Sequence, residues 1–539
     1  MPNGAVNNWT IRQVALERLS TCSGRPFLSQ CGNEFETYGS FIGSAAKLAN
    51  AFKAMGITTE GAVAILCPES GPHLHAWMAC ALLGATEVPI NPTLRGEPLQ
   101  HILRTAQPTV AIVSVELLPH LLEAASAITS LRGLVVVGSP LAPAASGHHD
   151  AVGYDHVMAT GTSEIPEMSV ATANIGSIMF TSGTTGPAKG AMMPNGQLCM
   201  MARQVIDVMR ITHDDVFYGA HPLNHIAGKY MGVLATFMAG GRIVLDDGFK
   251  AESWLAAIRR YDATISIAHG PMIEMIFGEP STPLDAKHNL RRLMCCPMPA
   301  HLADAFEARF DLKTVDMWGM TEIGCPTWTS LDAPRVPRSC GRVLTDYYDL
   351  QIVDPDTDAT CPANQAGEIV VRPRHPSTIM QGYLGMPDET VRAWRNLWFH
   401  TGDLGYLDEN GNMFFVDRLK ERIRRRSENI SAYDIETAAL GFAHIREAAA
   451  VGVPSEFTND DDIKLCVSCE KSFAPIDLIA FLTTKLPHFM IPRYIEIMEA
   501  LPRTPTNKVR KRALSESGVG PDTWDRNRAN VRLRDFYKD

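Results

Sequence analysis

Short apolar runs recur along the first half of the chain, with longer segments of helical pattern between them. Clear examples are AVAILC at 62–67, TVAIVS at 109–114, LVVVG at 134–138 and TISIAHG at 264–270. Runs of this length are typical of strands that are buried on both faces, as in parallel sheets covered by helices. Between two such runs, the segment 141–153 is rich in small residues, which predicts a surface loop. The chain therefore predicts an α/β fold built from parallel sheets with helical layers.

The length of the chain predicts more than one domain, because 539 residues are too many for one ordinary core. From Tyr347 onward the pattern changes to short alternating strands broken by Gly, Pro and Asp, which predicts a small β-rich subdomain that closes the large domain. A new alternation of helices and strands begins after Lys420. We therefore expect a large N-terminal domain at 1–419 and a small α+β C-terminal domain at 420–539, with a polar tail from about residue 515.

Composition and charge argue against several classes of function. The formal net charge of −10 argues against nucleic acid as the main partner. The amino end lacks the pattern of a secretory signal, and the longest apolar segment, around 76–85, is far too short to span a membrane. Cys466 and Cys469 have metal-ligand spacing, but the alternation around them indicates a strand that places them on opposite faces. We therefore expect a cytoplasmic protein with free thiols.

The segment TSGTTGPAKG at 181–190 directly follows the apolar run at 175–180, which predicts a strand that leads into a loop. Its glycines would let successive backbone N–H groups converge on an anion, and its hydroxyls and Lys189 would add further donors. It is not a Walker loop, because Ala188 precedes the lysine and Gly190 follows it. The segment predicts a phosphate-binding loop; the alternative is a solvent-exposed hairpin.

The segment DMWGMTEIG at 316–324 places an aromatic ring, a glycine, a hydroxyl and a carboxylate close together. Trp318 could stack on a purine, and Gly319 would permit a tight turn. Thr321 could donate to a phosphate, and Glu322 could hold Mg²⁺, which prefers oxygen ligands. A Trp-Gly turn is also a common packing feature, so this segment alone leaves both interpretations open.

Two later segments carry further candidates. In TGDLGYLDENG at 401–411, Asp403 could accept both hydroxyls of a ribose, and Arg418 could approach the same ribose or its phosphate. Alternatively, the arginines that follow Arg418 form a solvent-exposed cationic face. Lys508, within a Pro/Thr-rich loop at 502–514, could extend a flexible ammonium into a cleft, or else be an ordinary surface lysine.

In this order and at these separations, the motifs resemble the adenylate-forming superfamily of acyl-CoA synthetases, peptide-synthetase adenylation domains and firefly luciferase. The resemblance extends from about residue 10 to 514 and includes HPLNHIAG at 221–228 and GYLGMPDET at 382–390. The segments at 423–431 and 486–505 look most like the carnitine/crotonobetaine-CoA ligase-like branch of AMP-forming acyl-CoA ligases.

The resemblance implies a two-step reaction that uses ATP, Mg²⁺ and coenzyme A. A carboxylic acid would attack the α-phosphate of ATP to give an acyl-AMP, and coenzyme A, or alternatively an acyl carrier protein, would then displace AMP. By resemblance, the β- and γ-phosphates would be bound by Thr181, Ser182, Gly183, Thr184, Thr185, Gly186 and Lys189.

The other residue roles follow in the same way from the resemblance. Trp318 and Gly319 would lie against adenine, Thr321 and Glu322 would organise the α-phosphate and Mg²⁺, and Asp403 with Arg418 would fix the ribose. In the C-terminal domain, Lys508 would bridge the carboxylate and the α-phosphate. Lys420 would be the hinge about which this domain moves. In the N-terminal domain, His225 would line the acyl pocket.

Some positions depart from the family pattern. Met294 to Pro297 replace smaller residues along the adenine and acyl pocket, and Arg426 with Ser427 replaces two glycines beside the expected thiol tunnel. These departures leave two alternatives open. One is an enzyme that retains a single half-reaction, either adenylation or thioesterification; the other is a non-catalytic nucleotide sensor on the same fold.

Overall fold

The computed structural model describes most of the chain, which is divided into two compact units. The described residues are 9–59, 61–126, 128–138, 144–146, 149–181, 188–418, 423–425, 428–430, 432–455, 461–503 and 509–536. Unit 1 comprises Met1–Leu350, Val371–Phe399 and Asn410–Met413. Unit 2 comprises Gln351–Val370, His400–Glu409 and Phe414–Asp539.

Strands and helices alternate through most of unit 1. The strands of both units are numbered in chain order. The strands are β1 (Pro26–Gln30), β2 (Glu36–Thr37), β3 (Ala62–Leu66), β4 (Thr86–Pro89), β5 (Val110–Ser114), β6 (Gly133–Val137), β7 (Ala144–Ser146), β8 (His149–Gly153), β9 (Ile175–Thr181), β10 (Lys189–Pro194), β11 (Val216–Gly219), β12 (Arg242–Leu245), β13 (Ile265–His269), β14 (Arg292–Cys296), β15 (Lys313–Met320), β16 (Gly324–Trp328), β17 (Arg342–Val343), β18 (Tyr348–Val353), β19 (Gly367–Pro373), β20 (Trp394–Arg395), β21 (Trp398–Leu407), β22 (Met413–Arg418), β23 (Ile423–Arg425), β24 (Glu428–Ile430), β25 (Ile445–Pro454), β26 (Asp461–Cys469), β27 (Tyr494–Met498) and β28 (Trp524–Asp525).

The helices lie mostly between consecutive strands. The α-helices are α1 (Ile11–Cys22), α2 (Tyr38–Ala54), α3 (Ser70–Leu83), α4 (Gly96–Ala106), α5 (Leu118–Ala124), α6 (Tyr154–Thr160), α7 (Asn195–Met209), α8 (Ala235–Ala239), α9 (Ala251–Arg260), α10 (Gly270–Gly278), α11 (Ala303–Phe310), α12 (Pro387–Ala393), α13 (Ala432–Leu440), α14 (Pro475–Thr483) and α15 (Lys511–Glu516). A π-helix spans Ala227–Leu234, and 3₁₀-helices span His488–Met490 and Leu533–Asp535. None of the helices within the described ranges is both long enough and apolar enough to cross a bilayer.

Unit 1 contains two large sheets, which confirms the prediction of parallel α/β layers. The first sheet has the order β17-β16-β15-β14-β13-β11-β12-β1-β2, and its strands from β1 to β15 are parallel except for the edge strand β2. The second has the order β10-β9-β4-β3-β5-β6-β8-β7, with a parallel centre and antiparallel β10 and β7. The prediction of a surface loop at 141–153 was wrong in part. Within this segment, Ala144–Ser146 is β7 and His149–Gly153 is β8, which pairs in parallel with β6 and antiparallel with β7.

The layers follow from the alternation of apolar side chains along the strands. Val63 and Ile65 of β3 point into a core shared with α2, α3, α7 and the first sheet, while Ala64 points into a second core beneath α4 and α5. A third core lies on the outer face of the first sheet, where Phe306 of α11 packs against Leu293 of β14. Because helices cover both faces, the central strands carry apolar residues at almost every position.

The first sheet has a topological switch point between β11 and β13. The chain leaves β11 for β12 on one side, whereas it leaves β13 for β14 on the other side. Connections that diverge from neighbouring parallel strands open a crevice at the carboxyl ends of those strands, where ligands of α/β proteins commonly bind.

The π-helix carries a buried ion pair that links it to the second sheet. Lys229 Nζ lies 2.6 Å from Glu87 Oε2 of β4, and both side chains are fully buried. The Tyr230 hydroxyl donates to Glu87 Oε1. Burial lowers the pKa of Lys229, and the neighbouring carboxylate of Glu87 counteracts this effect.

Unit 2 is built on a sheet of order β25-β26-β27-β28, with helices α13 and α14 packed on it. Strand β26 confirms the strand predicted around Cys466, which is fully buried. The segment after residue 515 is polar as expected, and it contributes β28, in which Trp524 pairs with Ile495. The β-rich region predicted after Tyr347 forms a further sheet of β18, β19, β20, β21 and β22.

Candidate active site

The carboxyl ends of neighbouring parallel strands in the first sheet bring together residues that are far apart in sequence. His221 follows β11, His269 ends β13 and Cys296 ends β14. The register pairs His269 with Cys296, and Cys295 with Asp316 of β15. The candidate residues of HPLNHIAG therefore lie at the same edge of the sheet as the strand that contains DMWGMTEIG.

A tight hairpin between β15 and β16 positions Trp318, Gly319, Thr321 and Glu322. A Cβ atom on Gly319 would lie 2.2 Å from the carbonyl oxygen of Gly324, so a side chain at residue 319 cannot be accommodated without displacing backbone. Trp318 is buried, with 6% of its surface exposed. Close packing of the two strands therefore requires a glycine at residue 319. Thr321 and Glu322 lie in the turn of the hairpin.

Glu322 is held from several directions. The Tyr383 hydroxyl donates a hydrogen bond to Glu322 Oε1 at 3.0 Å. The buried side-chain amide of Gln197 donates to the backbone carbonyls of Thr321 and Glu322 at 2.9 and 3.2 Å. The Met380 N–H donates to the same Glu322 carbonyl at 2.8 Å. The carboxylate predicted as a metal ligand therefore has a defined position in unit 1.

The residues around Glu322 fit a magnesium ion that arrives with a nucleotide. Within the described part of the chain, no group of three or more His, Cys, Asp or Glu side chains is placed to hold a metal. Mg²⁺ is commonly bound by one or two carboxylates together with substrate phosphates and water, rather than by a complete protein cage. The buried, hydrogen-bonded carboxylate of Glu322 provides that kind of ligand.

The two ends of the predicted phosphate loop meet in the antiparallel pair β9 and β10, in which Thr181 pairs with Lys189. This confirms the strand predicted before the loop. His101 of α4 donates from Nε2 to the carbonyl oxygen of Ala188 at 2.9 Å, since a carbonyl only accepts. The predicted loop residues Ser182, Gly183, Thr184, Thr185 and Gly186 lie outside the described residues.

Lys189 is connected to Glu322 through Tyr383. Its ammonium lies 5.0 Å from the centre of the Tyr383 ring, whose hydroxyl contacts Glu322. The same ammonium lies 2.5 Å from Glu389 Oε2 of α12. The sequence motif GYLGMPDET contains both Tyr383 and Glu389, but no functional role was assigned to either residue from sequence. Their contacts depend on the fold, since Tyr383 and Glu322 are 61 positions apart.

Three histidine rings lie together at the switch point. The His221 and His269 ring centres are 4.7 Å apart, and those of His225 and His269 are 5.9 Å apart, both in edge-to-face geometry. Residues 221 and 225 do not lie on one helix. Burial, followed by the neighbouring rings of His269 and His225, lowers the pKa of His221 well below its usual value. Sequence spacing did not indicate His269 as a partner.

Asp316, on β15 two residues before Trp318, is a buried carboxyl. It accepts the N–H of Met298 at 3.1 Å and that of Met317 at 2.8 Å. Burial raises its pKa to about 7 despite these two hydrogen bonds. Of the departures at Met294 to Pro297, Met294 lies in the core between the sheets and Cys295 lies in the outer core. These two side chains are therefore packing residues.

In unit 2, Asp403 lies on β21 and is buried. Its N–H donates to the Thr401 hydroxyl at 3.1 Å. Glu368 fixes the preceding turn, because its carboxylate accepts the Gly402 N–H at 3.0 Å and contacts His400 Nδ1 at 2.8 Å. Arg418 is the last residue of β22.

Lys420, predicted as the hinge, and Lys508, predicted as the catalytic lysine, lie outside the described residues, as do Arg426 and Ser427.

The chain matches two family models: "AMP-binding enzyme" over residues 17–384 and "AMP-binding enzyme C-terminal domain" over residues 434–508. It is 30% identical over 485 residues to a crotonobetaine/carnitine–CoA ligase from Salmonella paratyphi B, covering 89% of this chain and 92% of that protein. It is 29% identical over 516 residues to a feruloyl-CoA synthase from an Amycolatopsis species, covering 95% and 98%.

Solved structures show the same fold. ATP-bound MatB from Rhodopseudomonas palustris superposes with a TM-score of 0.83 at 22% identity, covering 93% of this chain and 97% of that one. The anthranilate CoA ligase AuaEII, in complex with anthranoyl-AMP, has a TM-score of 0.85 at 21% identity, with 96% and 98% covered.

Proposed function

The chain belongs to the AMP-binding enzyme family, and from that premise we propose how its residues act as an ATP-dependent acid–CoA ligase. The enzyme activates a carboxylic acid as an acyl-AMP and transfers the acyl group to coenzyme A. The observation that carries the assignment of residues is the link from Lys189, at the base of the glycine-rich loop, through Tyr383 to the buried carboxylate of Glu322.

In the first step, a carboxylate oxygen of the acid attacks the α-phosphorus of ATP, and pyrophosphate leaves. The backbone N–H groups of the loop and Lys189 bind the β- and γ-phosphates, and the Thr321 hydroxyl donates to the α-phosphate. Glu322 would hold Mg²⁺, which neutralises phosphate charge when it is bound. These groups stabilise the negative charge that accumulates as pyrophosphate departs.

The remaining nucleotide contacts are proposed from the motifs. Trp318 and Gly319 border the adenine, and Asp403 with Arg418 binds the ribose. Lys508 places its ammonium between the attacking carboxylate and the α-phosphate, and loss of one such contact typically costs about 10²- to 10³-fold in rate.

In the second step, the thiol sulfur of coenzyme A attacks the acyl carbon, and AMP leaves with the carboxylate oxygen that had attacked phosphorus. His225 borders the acyl group, and Lys420 is proposed as the hinge of the C-terminal domain at 420–539. The matched relatives are coenzyme A ligases and synthases, which supports coenzyme A over a carrier protein as the acceptor.

The test is a panel of carboxylic acids with ATP and Mg²⁺, scored separately for pyrophosphate release and for acyl-CoA. We expect both products with at least one acid, and a loss of about 10²- to 10³-fold in pyrophosphate release for Lys508→Ala. Adenylate without thioester would identify an enzyme with one half-reaction. Nucleotide binding without pyrophosphate release for any acid would indicate a nucleotide sensor and overturn the ligase mechanism. Unchanged pyrophosphate release in Lys508→Ala would contradict the role proposed for Lys508.

A further inference from the structure

The histidine cluster, defined as His221, His225 and His269, lies where ligands are expected in a parallel sheet. His221 follows β11 and His269 ends β13, the two neighbouring strands whose connections diverge. Within the described residues, no group of three or more His, Cys, Asp or Glu side chains is placed to hold a metal. A neutral imidazole can also hydrogen-bond to an organic ligand, because one of its nitrogens donates and the other accepts.

The hydrogen bonds of two of the rings define their tautomers. His269 Nδ1 lies 3.3 Å from the carbonyl oxygen of Cys296, and a carbonyl only accepts, so Nδ1 carries the proton and Nε2 of the neutral ring is an acceptor. His225 Nδ1 accepts the N–H of Ala227 at 3.2 Å, so Nε2 of the neutral His225 ring carries its proton. The cluster thus contains both a donor nitrogen and an acceptor nitrogen.

His221 has two ring nitrogens that lack hydrogen-bond partners within the described part of the chain. Both of its ring nitrogens are buried, and neither has a hydrogen-bond partner among the described residues. In the neutral ring, one of these nitrogens donates and the other accepts. Buried polar groups in folded proteins nearly always have a hydrogen-bond partner. Two buried ring nitrogens without one, at the edge where ligands commonly bind, indicate that a ligand provides the missing partners.

Close backbone packing fixes the segment that carries His221. A Cβ atom on Gly228 would lie 2.8 Å from the carbonyl oxygen of Pro222 and 3.0 Å from that of His221. The segment therefore packs directly on the start of the π-helix.

We propose that the histidine cluster binds a hydroxyl group on the acyl part of the substrate, with His221 as the principal contact, so that the enzyme selects hydroxy-substituted carboxylic acids. This inference rests on the proposed function, in which His225 borders the acyl group. A hydroxyl both donates and accepts, and so matches the one donor and one acceptor nitrogen of the neutral His221 ring. A carbonyl or a second carboxylate only accepts, and would leave the acceptor nitrogen of His221 unpaired.

The test compares acids that share one skeleton. Benzoate, cinnamate and hexanoate are each paired with their monohydroxy derivatives and with a dicarboxylate of the same skeleton, and dissociation constants are measured by calorimetry. We expect a hydroxy acid to bind at least about tenfold tighter than its parent in one or more sets, because a site built to pair a hydroxyl discriminates against its absence.

Variants assign the preference to the cluster. His221→Leu is expected to reduce the hydroxy-to-parent ratio to about one with little change for the parent acid, while His221→Gln, which keeps a donor and an acceptor, retains part of it. His288→Leu is the matched control, because His288 Nε2 is also buried without a partner among the described residues but lies outside the cluster. This variant should keep the full ratio.

Equal binding of hydroxy and parent acids in every set, a preference for the dicarboxylate, or an unchanged ratio in His221→Leu would overturn the proposal. Because binding is measured without turnover, its outcome is separate from that of the ligase assignment. Absence of pyrophosphate release with every acid would count against the proposed function alone, whereas the binding ratios decide the role of the cluster.

Discussion

The Tyr383 hydroxyl donates a hydrogen bond to Glu322 Oε1 at 3.0 Å and so orients the carboxylate that we propose as the magnesium ligand. Tyr383 touches neither substrate in this account; it acts by positioning Glu322. Its ring also lies beneath the Lys189 ammonium, 5.0 Å from the ring centre. One side chain therefore connects the base of the phosphate loop to the carboxylate of the β15–β16 hairpin.

Replacement of Tyr383 by Phe removes this hydrogen bond and keeps the ring. We expect pyrophosphate release to fall about 10-fold or more and to require a higher Mg²⁺ concentration for half-maximal rate, because ligands that lose an orienting partner typically bind their metal 10–100-fold more weakly. The measurement is adenylation rate against Mg²⁺ concentration. Tyr261→Phe is a suitable control, since Tyr261 donates to Asp246 at 3.4 Å outside the proposed site. An unchanged Mg²⁺ dependence in Tyr383→Phe would contradict the positioning role.

Glu389 pairs with the Lys189 ammonium, so under the proposed function it would compete with phosphate for this cation. The two side chains are 31% and 23% exposed, so the ion pair is worth only about 0.2–1 kcal/mol. Glu389→Gln should therefore lower the KM for ATP modestly, by about 1.5- to 5-fold, while Lys189→Met should raise it. Steady-state kinetics at fixed acid concentration would measure both. Arg392→Gln, which removes the ion pair between Arg392 and Glu389, is expected to leave the KM unchanged.

A rise in KM for Glu389→Gln would mean that Glu389 supports, rather than opposes, nucleotide binding by Lys189.

The buried pair of Lys229 and Glu87 predicts a large effect on stability. Lys229→Met leaves the Glu87 carboxylate buried without its cation and is expected to destabilise the protein by about 3–5 kcal/mol. The double variant Lys229→Met/Glu87→Gln should recover much of this loss, because no buried charge remains. Denaturant unfolding measures these free energies. Arg203→Met, which removes a partly exposed pair with Asp207, should change stability by less than about 1 kcal/mol.

If Lys229→Met cost no more than Arg203→Met, the two charges would not be buried together in solution.

The raised pKa of Asp316 predicts a specific pH dependence of stability. Its pKa is about 7 in the folded chain and about 3.9 when unfolded, so the folded state holds the proton more tightly. The contribution of Asp316 is therefore fully present below about pH 4 and is lost as the pH rises through about 7. Relative to Asp316→Asn, the wild type should lose up to about 4 kcal/mol between these limits.

The measurement is the free energy of unfolding from about pH 4 to about pH 8 for both proteins. Asp285→Asn is the control, because folding lowers the pKa of Asp285 whereas it raises that of Asp316. Burial raises the pKa of Asp285, but hydrogen bonds from Arg309 and Thr282 outweigh this and lower it to about 2. Its contribution is lost only as the pH falls toward 2, so its difference from wild type should stay constant over the range. Parallel curves for wild type and Asp316→Asn would show that Asp316 is ionised throughout.

Sequence patterns predicted the features that depend on local order. The apolar run before Thr181 predicted β9, and the repeated runs predicted the parallel sheets, because burial on both faces constrains every residue of a strand. The failure at 141–153 has the opposite cause. Small residues there carry little local preference, and His149–Gly153 is a strand through its pairing with β6 and β7.

Contacts between distant segments were beyond sequence reasoning. His221 and His269 meet because strand order places β11 beside β13, and no spacing rule for helices or metal sites relates the two positions. The partners of Glu322 and Lys189 were missed for the same reason, although Tyr383 and Glu389 stood in a quoted motif. One available signal was general: polar side chains at the carboxyl ends of predicted parallel strands converge on one edge.

The acyl-adenylate is the central claim, and transfer of an oxygen isotope tests it most directly. An accepted acid labelled with ¹⁸O in both carboxylate oxygens is converted to its thioester with ATP and coenzyme A, and the AMP is analysed by mass spectrometry. Since the attacking oxygen leaves with phosphorus, the account predicts one ¹⁸O in the phosphate of each AMP and one in the thioester carbonyl. Unlabelled AMP, or formation of ADP in its place, would contradict it.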